Sequence, residues 1–160
     1  MDQLWTPWRY TYIKDAAKKE GCVFCDALAL GDDARALIVH RAQQNFVILN
    51  RFPYTNGHVM IVPYDHVADL AHCDPATLAE MMALSRRMEI VLGEVYRPEG
   101  MNLGMNLGRC AGAGVVGHLH LHVVPRWTGD TNFMAVTAET RIHPEELAVT
   151  FQKLRAALSS

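Results

Sequence analysis

Three histidines at strict period two, His118-Leu119-His120-Leu121-His122, constrain this chain more than any other feature. In a strand, alternate side chains point to opposite faces, so the three imidazoles share one face and Leu119, Leu121 and Val123 the other. The leucine face calls for burial against a helix. The imidazole face has no comparable packing reason, because each ring costs desolvation when buried without partners, and an exposed sheet face favours threonine, lysine or glutamate. A lone histidine is more often a satisfied core or surface residue than a catalyst; three in alternation reverse that expectation. Two chemistries fit, a metal triad or imidazole catalysis. Side chains two apart on a strand stand roughly 7 Å apart, so the end pair converges poorly on one ion. Imidazole chemistry at a phosphate fits better.

The remaining segments read as the frame for that strand. Residues Val23 to Leu30 predict a short helix, stopped by Gly31 and the Asp32-Asp33 pair. Ala36 to His40 and Phe46 to Asn50 are short β-branched runs, and Gln43-Gln44-Asn45 between them predicts a hairpin. After the turn-rich Arg51 to Gly57, His58 to Pro63 reads as another strand. Asp74 caps and Pro75 starts the longest helix, with Leu78, Met81, Met82, Ser85, Met88, Leu92 and Val95 at helical spacing up to Arg97-Pro98. Its methionines read as core filler. Met101 to Leu107 is a further strand, Gly108 to Gly114 a flexible loop, and the histidine strand runs to Val124 and Pro125. Pro144-Glu145-Glu146 opens a last helix with Leu147, Phe151 and Leu154 on one face. About five strands, one long central helix and a C-terminal helix predict an α+β fold with an antiparallel sheet. At 160 residues the chain makes one domain, 1–160, with residues 1–20 as an N-terminal arm packed through Trp5 and Trp8.

A formal net charge of -2 leaves no global basic field to attract long nucleic acid or an acidic membrane. A small phosphorylated ligand, which needs only local donors, stays open. The N-terminus lacks a basic region followed by an apolar run, so no signal peptide is expected. No stretch nears the roughly 18 apolar residues of a membrane span. A cytoplasmic location follows, with the four cysteines reduced. Cys22-Val23-Phe24-Cys25 by itself is ambiguous, a helix-start pair of buried small residues or a redox pair that lacks a thioredoxin-like pattern.

His118 to Val124 fits the motif of the histidine-triad (HIT) family, histidines alternating with apolar residues and then two apolar residues. The likeness covers most of the chain. Asn50-Arg51-Phe52-Pro53 with Gly57 to Pro63 resembles the nucleotide-binding strands of the family's fragile-histidine-triad branch. Asn102 to Gly108 with Ala111 to Gly114, and Pro125-Arg126-Trp127 with Gly129 to Phe133, resemble a bacterial subgroup that includes diadenosine tetraphosphate phosphorylases.

That resemblance implies a HIT-like fold and nucleotidyl transfer. The middle histidine, His120, is the implied nucleophile: a neutral ring nitrogen attacks the α-phosphorus of a nucleotide, while an acceptor, expected to be a backbone carbonyl, holds the other nitrogen. His122 and His58 are the implied donors to phosphate oxygens or the leaving group, joined by the backbone of Gly112 to Gly114. Asn50 matches the ribose-binding position, and Asn106 the position that orients the phosphate or the catalytic histidine. Inorganic phosphate as acceptor gives phosphorolysis and a nucleoside diphosphate; water gives hydrolysis and a monophosphate, on dinucleoside polyphosphates or nucleoside phosphoramidates. In many relatives Gln and Ser precede the histidine motif, whereas Gly114-Val115-Val116-Gly117 stands here, which favours the phosphorylase. A non-catalytic nucleotide-binding module is the further alternative. Some bacterial members bind zinc, and the matching ligands are Cys22, Cys25, His66 and His118, a closed tetrahedral set. Any magnesium would arrive with the nucleotide. The family also implies a homodimer formed by sheet extension, with Trp127 to Phe133 serving the site or the dimer contact. His40, His72, His143, Cys73 and Cys110 carry no assigned role.

Overall fold

Residues 21–130 and 145–159 are described in the computed structural model. The N-terminal arm, Thr131 to Phe133, His143 and Pro144 lie outside them. The chain order is helix α1 (Val23–Ala29), the short helix α2 (Asp33–Ala36), strands β1 (Ile38–Arg41), β2 (Asn45–Leu49) and β3 (Val59–Pro63), helix α3 (Pro75–Tyr96), strand β4 (Gly100–Gly104), a 3-10 turn (Arg109–Ala111), strand β5 (Leu121–Arg126) and helix α4 (Leu147–Ser159). The strands form one five-stranded sheet of order β1-β2-β3-β5-β4, every pair antiparallel.

The sheet is covered on both faces, which is why every residue of β2 and β3 is buried. One face, with Val47, Leu49, Ile61, Leu121 and Val123, packs on Met81, Met88 and Leu92 of α3 and Phe151, Leu154 and Leu158 of α4. The other, with Phe46, Ile48, Met60 and Val62, packs on Phe24 and Ala27 of α1. Helix α3 begins as expected: the Asp74 carboxylate accepts from Ala76 N–H at 2.7 Å, and Pro75 fills the first helical position. It ends at Arg97 in the left-handed region with φ 48°, before Pro98.

Four expectations need correction. Asp32 does not merely stop α1; its carboxylate caps α2 by accepting from Ala34 and Arg35 N–H, and left-handed Leu37 delays β1 to Ile38. Met82 points outward, 63% exposed, while Leu84 and Val91 take the core positions. Strand β4 stops at Gly104, short of Leu107. Strand β5 starts at Leu121, so His118 and His120 stand before the ladder, on an extended segment whose Leu119 N–H is held by the Val67 carbonyl at 2.6 Å. Alternation survives: Leu119, Leu121 and Val123 join the helix-side core, and the histidines face away from it.

Candidate functional site

The antiparallel register places His122 of β5 opposite Met60 of β3, two residues along the strand from His58. The loop leading to His58 is tied down on several sides. Asn50 Oδ1 accepts from Phe52 N–H at 2.9 Å, the Thr55 hydroxyl donates to the Pro125 carbonyl at 2.7 Å, and Gly57 adopts φ +76°. A Cβ on Gly57 would come within 3.0 Å of both Leu92 and Tyr96, so glycine is required there for space as well as for backbone conformation.

Ring nitrogens can be assigned from what faces them. His58 is 1% exposed, and its Nδ1 accepts from Tyr54 N–H at 3.1 Å, which leaves its proton on Nε2. That Nε2–H meets His122 Nδ1 at 2.9 Å, so His122 in turn carries its proton on Nε2. His120 has the opposite tautomer: its Nδ1–H donates to the His118 carbonyl at 2.8 Å, leaving a lone pair on Nε2. The rings of His120 and His122 lie edge to face, centroids 5.0 Å apart. Burial lowers the pKa of both rings, and that of His122 falls to about 4 through desolvation and the neighbouring His120. At neutral pH the site therefore holds one imidazole with an available lone pair beside another with an available N–H.

A second cluster sits at the other end of the segment. His118 Nε2–H donates to the Pro63 carbonyl at 3.0 Å, so its Nδ1 lone pair points at Cys22 Sγ, 3.3 Å away. Cys25 Sγ lies 3.3 Å from His66 Nδ1 and 3.7 Å from His118 Nδ1. One ligand atom from each of Cys22, Cys25, His66 and His118 falls within 4.8 Å of the other three. Two sulfurs and two ring nitrogens converging at this spacing suit a tetrahedral ion such as zinc, and a backbone carbonyl already fixes the tautomer of His118 for binding.

The other candidates are arranged differently. Asn50 closes the end of β2, its Nδ2 lying 3.4 Å from His58 Nδ1. Gly112 has φ 88°, and its N–H is taken by the Arg109 carbonyl at 3.1 Å. Asn106 reaches the Gly112 carbonyl only at 3.5 Å, and Gly114 follows at a bend. His58 is bonded to His122 rather than aimed directly outward. Among residues assigned no role, His40 is 3.1 Å from Arg87, His72 pairs with Asp69 at the surface, Cys73 is buried and Cys110 exposed.

Two residues were missed. The Tyr54 ring lies 4.6 Å from the His58 ring, tilted by 39°, and stacks 6.0 Å from that of His122. Phe24 lies 5.3 Å from the His118 ring and 5.2 Å from that of His120. An aromatic inside the Cys-x-x-Cys spacing and one four residues before His58 were the available signals, but only tertiary packing gives them meaning.

The HIT domain family model matches residues 32–129. An AP-4-A phosphorylase of Mycobacterium tuberculosis is 37% identical over 158 aligned residues, covering 94% of this chain and 80% of that protein. An asymmetrical bis(5'-nucleosyl)-tetraphosphatase of Schizosaccharomyces pombe is 28% identical over 58% of this chain and 50% of its own length. Among solved structures, a Zn-bound histidine triad family protein of Mycobacterium smegmatis matches with a TM-score of 0.70 and 32% identity, covering 87% of this chain and 94% of that one.

Proposed function

Because the chain belongs to the HIT domain family, we propose that it is an enzyme of dinucleoside polyphosphate turnover that phosphorolyses diadenosine tetraphosphate through a nucleotidylated His120. One observation carries this reading: the bond from His120 Nδ1–H to the His118 carbonyl leaves the Nε2 lone pair as the nucleophile. That nitrogen attacks the α-phosphorus, an N–P bond forms, and the P–O bond to the departing nucleoside triphosphate breaks. Inorganic phosphate then attacks the same phosphorus, releasing a nucleoside diphosphate and restoring the free imidazole. His122 Nε2–H is the side-chain donor to a non-bridging oxygen or the leaving group, held in that tautomer by His58. Asn50 is assigned to the ribose hydroxyls. The backbone at Gly114, with Asn106, is assigned to the phosphates, while the Gly112 N–H is engaged by the Arg109 carbonyl.

The M. tuberculosis relative named AP-4-A phosphorylase supports phosphate over water as the acceptor. The S. pombe tetraphosphatase keeps hydrolysis as the second reading. Incubating the protein with diadenosine tetraphosphate, with and without phosphate, separates them. ADP and ATP formed only with phosphate is the expected outcome; AMP formed without phosphate overturns the phosphorylase reading. Zinc is the proposed ion for Cys22, Cys25, His66 and His118, supported by the Zn-bound relative. A homodimer is proposed through β4, which stands at the edge of the sheet among the described residues. Among the described residues no helix is long and apolar enough to cross a membrane.

A further inference from the structure

His118 takes part in both clusters. Its Nδ1 faces the Cys22 thiol at 3.3 Å, while its carbonyl oxygen receives the Nδ1–H of His120 at 2.8 Å. The ladder of β5 begins only at Leu121, so β-pairing does not hold the segment from His118 to His120. The main-chain bond that does hold it, Leu119 N–H to the Val67 carbonyl at 2.6 Å, comes from the residue after His66, another member of the cluster. A third hold is Phe24, carried between Cys22 and Cys25 and packed against the rings of both His118 and His120. Beside the burial of Leu119 in the helix-side core, these three restraints on the nucleophile's segment lead back to a donor, or to a neighbour of a donor, of the four-residue centre.

We propose that the Cys22–Cys25–His66–His118 centre is the positioning device for the nucleophile: a bound metal ties α1, the turn after β3 and the segment before β5 together and so holds His120 with its Nε2 lone pair exposed. The cluster joins three chain segments that share no strand pairing at this point, and a tetrahedral ion satisfies all four lone pairs at once. Without an ion, two sulfurs and two ring nitrogens face one another with no common partner. The His118 carbonyl and the Phe24 ring then lose the anchor that aims them. His118, His66 and Phe24 are positioning residues in this scheme. The inference rests on the reading of His120 as nucleophile.

The test compares zinc-loaded protein with chelator-stripped protein by ¹⁵N–¹H spectra of the imidazoles, with His120 assigned through His120→Asn. The loaded form is expected to show His120 as a single tautomer protonated on Nδ1. The stripped form is expected to show averaged or broadened ring signals. Turnover of diadenosine tetraphosphate with phosphate should fall roughly 10- to 100-fold on stripping, the scale of lost outer-shell support, with KM within about twofold, and zinc should restore it. A stripped protein that stays folded and keeps the single His120 tautomer overturns the proposal, as does a loaded preparation that retains no zinc. If stripping unfolds the chain, Phe24→Leu in the zinc-loaded protein decides. It should keep its zinc yet broaden the His120 ring signals, and an unchanged His120 spectrum overturns the proposal. Should neither diadenosine tetraphosphate nor phosphate support turnover, the functional reading fails while the ring spectra still decide the coupling.

Discussion

His118 and His122 flank the same ring, and each has one nitrogen fixed by a fully buried partner, yet the partners are of opposite kind. At the His118 end the partner is an acceptor, the Pro63 carbonyl, which draws the proton to Nε2 and turns a lone pair toward two sulfurs. At the His122 end the partner is a donor, the Nε2–H of His58, which fills Nδ1 and leaves the proton facing out. Similar rings on one face thus present a lone pair to two thiols at one end and an N–H at the other. The difference lies in which neighbour each tautomer answers to. His120 sits between them with its own acceptor, the His118 carbonyl, and keeps the lone pair that neither flank can offer a phosphate.

The largest break in this arrangement is at the centre. His120→Asn should lower turnover by roughly 10³-fold or more, as removal of a nucleophile does, without moving the melting temperature by more than a few degrees. Residual phosphorolysis near the unmodified rate would refute the nucleophile assignment. At the metal end the expected loss is in stability. Free zinc at a thousand times its dissociation constant should contribute about 4 kcal/mol, read as a fall in the denaturation midpoint on chelation and as its absence in Cys22→Ser. Equal midpoints with and without chelator would leave the cluster without a structural role.

Titration tests the donor end next. With His122 held at about 4 against an ordinary 6.5, neither folded nor unfolded chain binds a proton there above pH 6.5. Between 6.5 and 4 the unfolded chain gains one and the folded protein does not, so stability falls across that window and levels off below it. The size is on the order of 3 kcal/mol. Chemical denaturation at pH 7 and pH 5 should show the loss, and His122→Asn should reduce it. An identical pH slope in the variant would mean that His122 is not held neutral.

Much of this was legible in the chain because it is local. Asp74-Pro75 and Arg97-Pro98 bracket α3 through capping and proline geometry, and period-two alternation sorts Leu119, Leu121 and Val123 from the histidines with no reference to distant residues. What was not legible depends on contacts far along the chain. That β5 waits until Leu121 follows from β3 pairing only as far as Ile61 opposite Leu121. That His58 faces His122 follows from the neighbouring of β3 and β5, strands separated by α3 and β4. Asp32 reads as a helix stop in sequence, but its carboxylate is equally able to start a helix, and only the chain's reversal into β1 selects that use. Met82 shows the limit of periodicity: it shares the helical spacing, but the buried arc is set by where α4 and the sheet lie, and it falls just outside.

The smallest effects concern what holds the donor end, and they distinguish ring from backbone. His58→Ala removes the Nε2–H that fills His122 Nδ1, so His122 loses the bond that fixes both its tautomer and the orientation of its ring. Turnover should fall roughly 10- to 50-fold, within the range of a lost orienting hydrogen bond, with KM little changed because His58 itself is buried. A rise in KM at constant kcat would instead place His58 on the substrate. Tyr54 acts one step further out. Its N–H bonds His58 Nδ1 and its ring packs on the His58 and His122 rings, so Tyr54→Phe, which keeps both, should match the parent within about twofold. Tyr54→Ala keeps the N–H and loses the stack, worth about 1 kcal/mol or less, and should cost about threefold to fivefold in kcat. If Tyr54→Phe fell as far as Tyr54→Ala, the hydroxyl would be the working group, and the donor end would rest on a contact to substrate instead of on the fixed tautomer that sets it apart from the metal end.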